Sequence, residues 1–376
     1  MLTPRENLLR IFRDETPEWI PICGHVDPYN QPRRDGMDPD LAAEMGMVEW
    51  HDHSTVLFSR HLGIDVMDYM GPPLRVSRRE VTLDVMQQGE DTIEAWHTPA
   101  GEMRQVSRRC REDGTSYLVE HMVKSPADIP ALAAIFEDEA IAVDPTGLQA
   151  IRDRQELIGD DGMLMCFMPG TPMGMMFRVY SGVETLAYLR VDAPGALADL
   201  FSVMERSYQQ QLRLSADSAA DAFVGMDDTS TTVISPAMFE QFSLECTDRR
   251  AQICHEHRKL YFHHSCGLIR DLLLLYRRTS MDAVHAFTVP PTGNVTVAEG
   301  RRLLGDRITI IAGVGVLGEQ SWDPQHVKAE VGRLFADAGR GDHFILCLAA
   351  YPHRTMEQTK AVVGECRKYQ TLPLGA

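Results

Sequence analysis

The chain has 376 residues with a formal charge of -17, and is 44% hydrophobic and 24% charged, which allows a sizeable core and excludes a disordered or fibrous protein. The acidic excess argues against nucleic acid and anionic lipid as partners, because such binders need basic patches that displace counterions. No apolar run approaches the roughly 20 residues of a membrane span, and the first residues lack the basic-then-apolar order of a signal peptide, so no membrane association and a cytoplasmic location are expected.

In chain order, residues 3–14 read as an amphipathic helix with Thr3 as N-cap, Pro4 in the first turn and Leu8, Leu9, Ile11 and Phe12 as its stripe. Residues 19–22 read as a first strand. Pro, Gly, Asp and Arg then accumulate to Asp40, the composition of a long loop over one end of a domain. A helical stretch near 40–61 leads to a second strand at 64–69. From about 75 to 121 polar and apolar residues alternate between turn signals, which predicts an antiparallel hairpin insertion serving as a lid or edge ribbon. Helical sequence restarts at Lys124-Ser125-Pro126.

Further strands are expected at 163–168, 222–226, 260–264, 283–287, 308–313 and 343–348. Helices fill the gaps at 194–216, 236–257, 297–304 and 324–338. Apolar strands alternating with helices mean a parallel sheet, and eight strands match a closed (β/α)₈ TIM barrel, here as a single α/β domain over 1–376. A doubly wound sheet is the alternative, but no G-x-G-x-x-G follows the first strand. Eight cysteines without paired spacing read as reduced thiols in a chain that needs no disulfide staple. Twenty methionines, clustered around Met163 to Met176, fit flexible core packing or an adaptable apolar wall.

The C-terminal ends of barrel strands carry the chemistry of such folds. The run Leu260-Tyr261-Phe262-His263-His264-Ser265-Cys266-Gly267 ends in two soft ligands, and strand alternation puts His264 and Cys266 on one face with His263 opposite. Cys347, at the end of the last strand, converges on them across the mouth. His264, Cys266 and Cys347 make an N,S,S metal site with one open position, the plan of a catalytic zinc that activates thiols or methyl groups. The bland alternative is buried core cysteines. Asp227 and Asp228 at another strand tip are the catalytic candidates, as substrate anchor, histidine partner or proton donor, against a solvated turn. His25 and Asp27 in the first loop could also face the mouth, and Phe287 ends a strand there.

The chain resembles the uroporphyrinogen decarboxylase superfamily, in its branch of corrinoid-dependent methyltransferases that demethylate small compounds. The resemblance rests on Thr3-Pro4-Arg5-Glu6-Asn7, Pro17-Glu18-Trp19-Ile20-Pro21, Gly225-Met226-Asp227-Asp228, Ile234-Ser235-Pro236-Ala237-Met238-Phe239, His264-Ser265-Cys266-Gly267 and Pro290-Pro291-Thr292-Gly293-Asn294-Val295. It implies the same barrel and zinc on His264, Cys266 and Cys347. It also implies a cobalamin carried by a partner corrinoid protein, and a small methyl donor or acceptor. The arginine-rich segment F-M-R-Q-A-G-R of true porphyrinogen decarboxylases is replaced by Cys23-Gly24-His25-Val26-Asp27, which disfavours an acidic tetrapyrrole substrate. On this reading Met168, Met173 and Phe177 line the apolar part of the mouth. The competing expectations are a metal-free decarboxylase or lyase and a non-catalytic corrinoid-binding protein.

Overall fold

Thr3 caps the first helix, Pro4–Ile11, by accepting from the Glu6 N–H at 3.2 Å while the Glu6 carboxylate accepts from the Thr3 N–H at 2.8 Å. The helix is seated under a barrel. Leu8 and Ile11 are buried in the same interior cluster as Met67, Met163, Met165, Val224, Phe262, Ile311 and Ile345. The Phe12 ring stacks on Phe262 with centroids 5.2 Å apart, worth about 0.5–1.5 kcal/mol beyond the area it buries. This computed structural model describes residues 2–24, 54–111, 116–314, 323–348 and 356–370.

The barrel strands are β1 Ile22–Gly24, β2 Val66–Met70, β3 Gly162–Pro169, β4 Ala222–Met226, β5 Leu260–His264, β6 Ala283–Phe287, β7 Thr309–Ala312 and β8 Phe344–Leu348. All are parallel, each beside its sequence neighbours, and β8 pairs with β1 through Cys347 and Cys23. A bridge between Cys23 and Asp65 joins β1 to β2. The expected (β/α)₈ barrel is thus present, with β2 to β8 close to where hydrophobic runs placed them; the first strand, expected over 19–22, runs over Ile22–Gly24 instead and shares only Ile22 with that run.

Three strand entries share one device. Asp65, Asp221 and Asp282 immediately precede β2, β4 and β6, and their carboxylates accept from the backbone N–H of Ile22, Leu164 and Tyr261 on the preceding strands. Each latch pins two neighbouring strands at the end remote from the mouth. Arg5 reaches from the first helix to Asp221 at 2.9 Å and to the Gly162 carbonyl at 2.9 Å, so the plug is tied to the same rim.

Outside the barrel, helices Pro194–Ala216, Val297–Leu304 and Pro324–Ala338 have the expected bounds. The expected helix over 236–257 is two, Pro236–Phe242 and Leu244–Glu256, parted at Ser243, whose hydroxyl lies 3.2 Å from that of Thr171. The insertion is larger than a hairpin. Thr82–Gln88, Asp91–Thr98, Gly101–Arg109 and Ser116–Glu120 form a four-stranded antiparallel sheet, and Leu74–Ser77 pairs separately with Ala140–Val143. Val81, Met103 and Val106 bury its inner side, the first two in the main strand–helix core. His25, Asp27 and most of the helix expected over 40–61 lie outside the described residues, of which Ser54–Leu62 is helical. Among the described residues no helix is long and apolar enough to cross a membrane.

Candidate active site at the barrel mouth

At the end of β4 two adjacent carboxylates part company. Asp227 is 1% exposed. Its Oδ1 accepts from the Thr171 N–H at 2.8 Å and the Thr171 hydroxyl at 2.6 Å, while Oδ2 lies 3.4 Å from His263 Nδ1, too long for a well-formed hydrogen bond. Burial pushes the His263 imidazolium down from its ordinary range, against the pull of Asp227. His263 instead meets the Thr229 hydroxyl at 3.0 Å through Nε2. Asp227 is therefore an anchor behind the sheet, joining the β3 and β4 exits.

Asp228 turns the other way. Its backbone takes φ 49°, a left-handed conformation that aspartate tolerates better than most residues, and this carries the carboxylate over the mouth. Oδ1 lies 2.8 Å from His264 Nε2 and 3.8 Å from Cys266 Sγ, and Oδ2 lies 2.5 Å from Arg178 Nε. Burial raises the Asp228 pKa, but the His264 hydrogen bond and the charges of His264 and Arg178 outweigh it and hold the carboxyl below its usual range. Burial first, then the neighbouring Asp228 carboxylate, pushes the Cys266 thiol up to about 11. Arg178 comes from a π-helical turn, Met176–Tyr180, a deformation often found at functional sites. Gly267 follows Cys266 at φ 90°, a region open to glycine, and its N–H donates to Thr288 Oγ1 at 2.9 Å.

A chain of polar groups continues beneath the mouth. His264 Nδ1 lies 2.8 Å from His285 Nδ1, and His285 Nε2 lies 2.8 Å from the Tyr69 hydroxyl. Tyr69 stands on β2 and His285 on β6, so this chain crosses the barrel. On β6 a register shift between Val284 and Phe287 coincides with φ 63° at Ala286, a bulge of the kind that re-aims side chains beside active sites.

The ligand atoms of Asp228, His264 and Cys266 all lie within 4.8 Å of one another. His264 and Cys266 share a face, as alternation predicts. Cys347 is in the interior cluster at 8% exposure, paired in register with Cys23, and its Sγ approaches the Leu348 carbonyl at 3.9 Å. It is not one of the grouped three. Met168, Met173, Phe177 and Phe287 belong to the core between strands and helices, so they do not line the interior. The Ala286 bulge explains Phe287, because one extra residue reverses the parity that Ala283 and His285 set. The apolar wall comes instead from partly exposed Tyr69, Phe167 and Met226, with Tyr69 stacked on Phe167 at 4.7 Å. Tyr69 and His285 were missed although both occupy inward positions, two residues after Met67 and Ala283; Arg178 carried no sequence signal. None of the eight cysteines forms a disulfide.

The profile of the family described as uroporphyrinogen decarboxylase (URO-D) matches residues 98–369. Among solved structures, a methyltransferase from Methanosarcina mazei superposes with a TM-score of 0.61 at 14% identity, covering 98% of this chain and 99% of the other. A B12-independent methionine synthase from Shewanella sp. W3-18-1, in complex with selenomethionine, superposes with a TM-score of 0.51 at 9% identity, covering 89% of each chain. At these identities both likenesses are of fold. No curated protein sequence matches.

Proposed function

The chain belongs to the uroporphyrinogen decarboxylase family, and from that premise we propose that it is a zinc-dependent methyltransferase of the cytoplasm. It moves a methyl group between a corrinoid protein and a small O-methylated, N-methylated or thiol compound. The observation that carries this reading is the convergence of Asp228, His264 and Cys266 within 4.8 Å at the barrel mouth. Oxygen, imidazole nitrogen and thiol sulfur are the donor set of zinc, and three protein ligands leave a position for substrate. One structural neighbour is described as a methyltransferase; the other is described as B12-independent, so the corrinoid is tested separately from the metal.

Zinc, when bound, supplies a Lewis acid that favours a thiolate at neutral pH or polarises a methylated heteroatom. The remaining work falls to this chain's residues. His264 and Cys266 would hold the metal. Asp228 completes the set by distance, and Cys347 by the softness of its sulfur. Arg178 neutralises and orients Asp228 when the carboxylate is not otherwise engaged. Phe167, Tyr69 and Met226 present an apolar wall that keeps water from a methyl group in transit. That group leaves its bonding electron pair on the donor.

Gently purified protein is expected to carry about one zinc per chain, lost in His264→Ala. With methylcobalamin and a panel of thiols and methoxyaromatics, the cobalt absorbance should change with wild type and not with His264→Ala. Comparing zinc content in Asp228→Asn and Cys347→Ser identifies the third ligand. Absence of zinc with a turnover that releases carbon dioxide would overturn the proposal in favour of a metal-free decarboxylase or lyase. Tight corrinoid retention without turnover would make the chain a binding protein.

A further inference from the structure

We propose that Tyr69 and His285 are positioning residues for His264, forming a one-way hydrogen-bond relay that fixes which of its ring nitrogens carries the proton. The assignment starts at Asp228. An ionised carboxylate only accepts, so at 2.8 Å His264 Nε2 is the donor. In its uncharged form, the form to which this assignment applies, His264 has one N–H, which makes Nδ1 an acceptor. Its partner at 2.8 Å, His285 Nδ1, must then donate. His285 Nε2 is left as the acceptor, and the Tyr69 hydroxyl at 2.8 Å supplies the proton. Every link has one donor and one acceptor in a single direction, from Tyr69 on β2 across the barrel to Asp228 just beyond β4.

Burial makes the relay hard to replace. His285 is 2% exposed, so water cannot readily take over a lost partner there. The rings of His264 and His285 stand 5.0 Å apart, and that of Tyr69 lies edge-on to His285 at 5.7 Å. The relay thus fixes the plane of His264 as well as its tautomer. Were a cation held at His264 Nε2, the His264 proton would sit on Nδ1; the His264–His285 bond would then reverse, with His285 accepting at Nδ1 and carrying its proton on Nε2, and the Tyr69 hydroxyl would turn to accept. Proton number is unchanged. His285 is therefore the switchable partner that lets His264 serve as an uncharged ligand in one state and a donor to Asp228 in the other, the role a histidine's outer partner plays in metal sites.

The proton assignment holds without a metal; its effect on affinity rests on the zinc reading above. Two measurements separate them. In metal-free protein labelled with ¹⁵N-histidine, and assigned with His264→Ala and His285→Ala, His285 should appear with its proton on Nδ1. In Tyr69→Phe that proton should redistribute toward Nε2. In competition with a chromophoric chelator, His285→Ala should weaken zinc binding by about 10–100-fold and Tyr69→Phe by about 10-fold or less. His285→Gln, whose amide can either donate or accept, should recover part of the loss. A wild-type His285 protonated on Nε2 overturns the relay, as does unchanged zinc affinity in a folded His285→Ala. If wild type binds no zinc, the metal reading fails and the ¹⁵N spectrum alone decides the relay.

Discussion

The two ends of the barrel interior are built on the same strands and differ in almost everything else. At the floor, Leu8, Ile11 and Phe12 of the first helix meet Phe262, Met67 and Met163. Two residues beyond Met67, Phe262 and the equally buried Ala283, the strands present Tyr69, His264 and His285 at the mouth. The period of two makes the positions equivalent in direction, so only residue type separates a dry plug from a polar site. Adjacent Asp227 and Asp228 repeat the contrast at one strand end: the first is locked behind the sheet, and the second is poised over the mouth.

Substitutions on either side of this division should separate stability from chemistry. The largest effect is expected at the floor, where Phe262→Ala removes a fully buried ring and should cost about 3–5 kcal/mol in chemical denaturation. Zinc per folded chain should be unchanged; a parallel loss of metal would mean that floor and mouth are one energetic unit.

Asp65, at the β2 entry, tests the same end through pH. Burial raises its pKa to about 6 from an ordinary 3.8. Because the folded value is the higher one, folding favours the protonated form. Its stabilisation is intact below about pH 4 and is lost as the pH rises through 6, a change of up to about 3 kcal/mol. The stability of Asp65→Asn relative to wild type should therefore rise between pH 4 and pH 7. A flat difference would show that Asp65 ionises in the fold as readily as in the unfolded chain.

At the mouth, Cys266→Ser should weaken zinc binding about 100-fold or more and leave the unfolding midpoint of the metal-free protein nearly unmoved. A large drop in that midpoint would assign Cys266 to the core. The smallest effect is expected behind the sheet. Thr171→Val removes one of two donors to Asp227 and should cost about 1 kcal/mol without changing turnover; lost turnover at intact stability would return Asp227 to the reacting groups.

Much of the frame was legible because buried parallel strands are short apolar runs and helices between them start at prolines. The helices from Pro194 and Pro324 therefore came out with their observed bounds. The insertion was legible as antiparallel but not in size, since four alternating segments over 82–120 can pair as a hairpin or as a meander. At the site, His264 and Cys266 followed from alternation alone. Phe287 did not, because the bulge at Ala286 reverses parity and leaves no mark in residue type.

What the sequence determined by itself is local: which segments are strands, which strand ends carry imidazole, thiol and carboxylate, and which histidine of the pair faces inward. These follow from a period of two and from hydrophobicity, both properties of neighbouring residues. Tertiary structure alone decided that Asp228, not Asp227, joins His264 and Cys266, that Arg178 holds it there, and that Tyr69 reaches His285 from the opposite wall. These depend on a left-handed turn, a π-helical turn and the diameter of a closed barrel, which bring together side chains up to 216 residues apart.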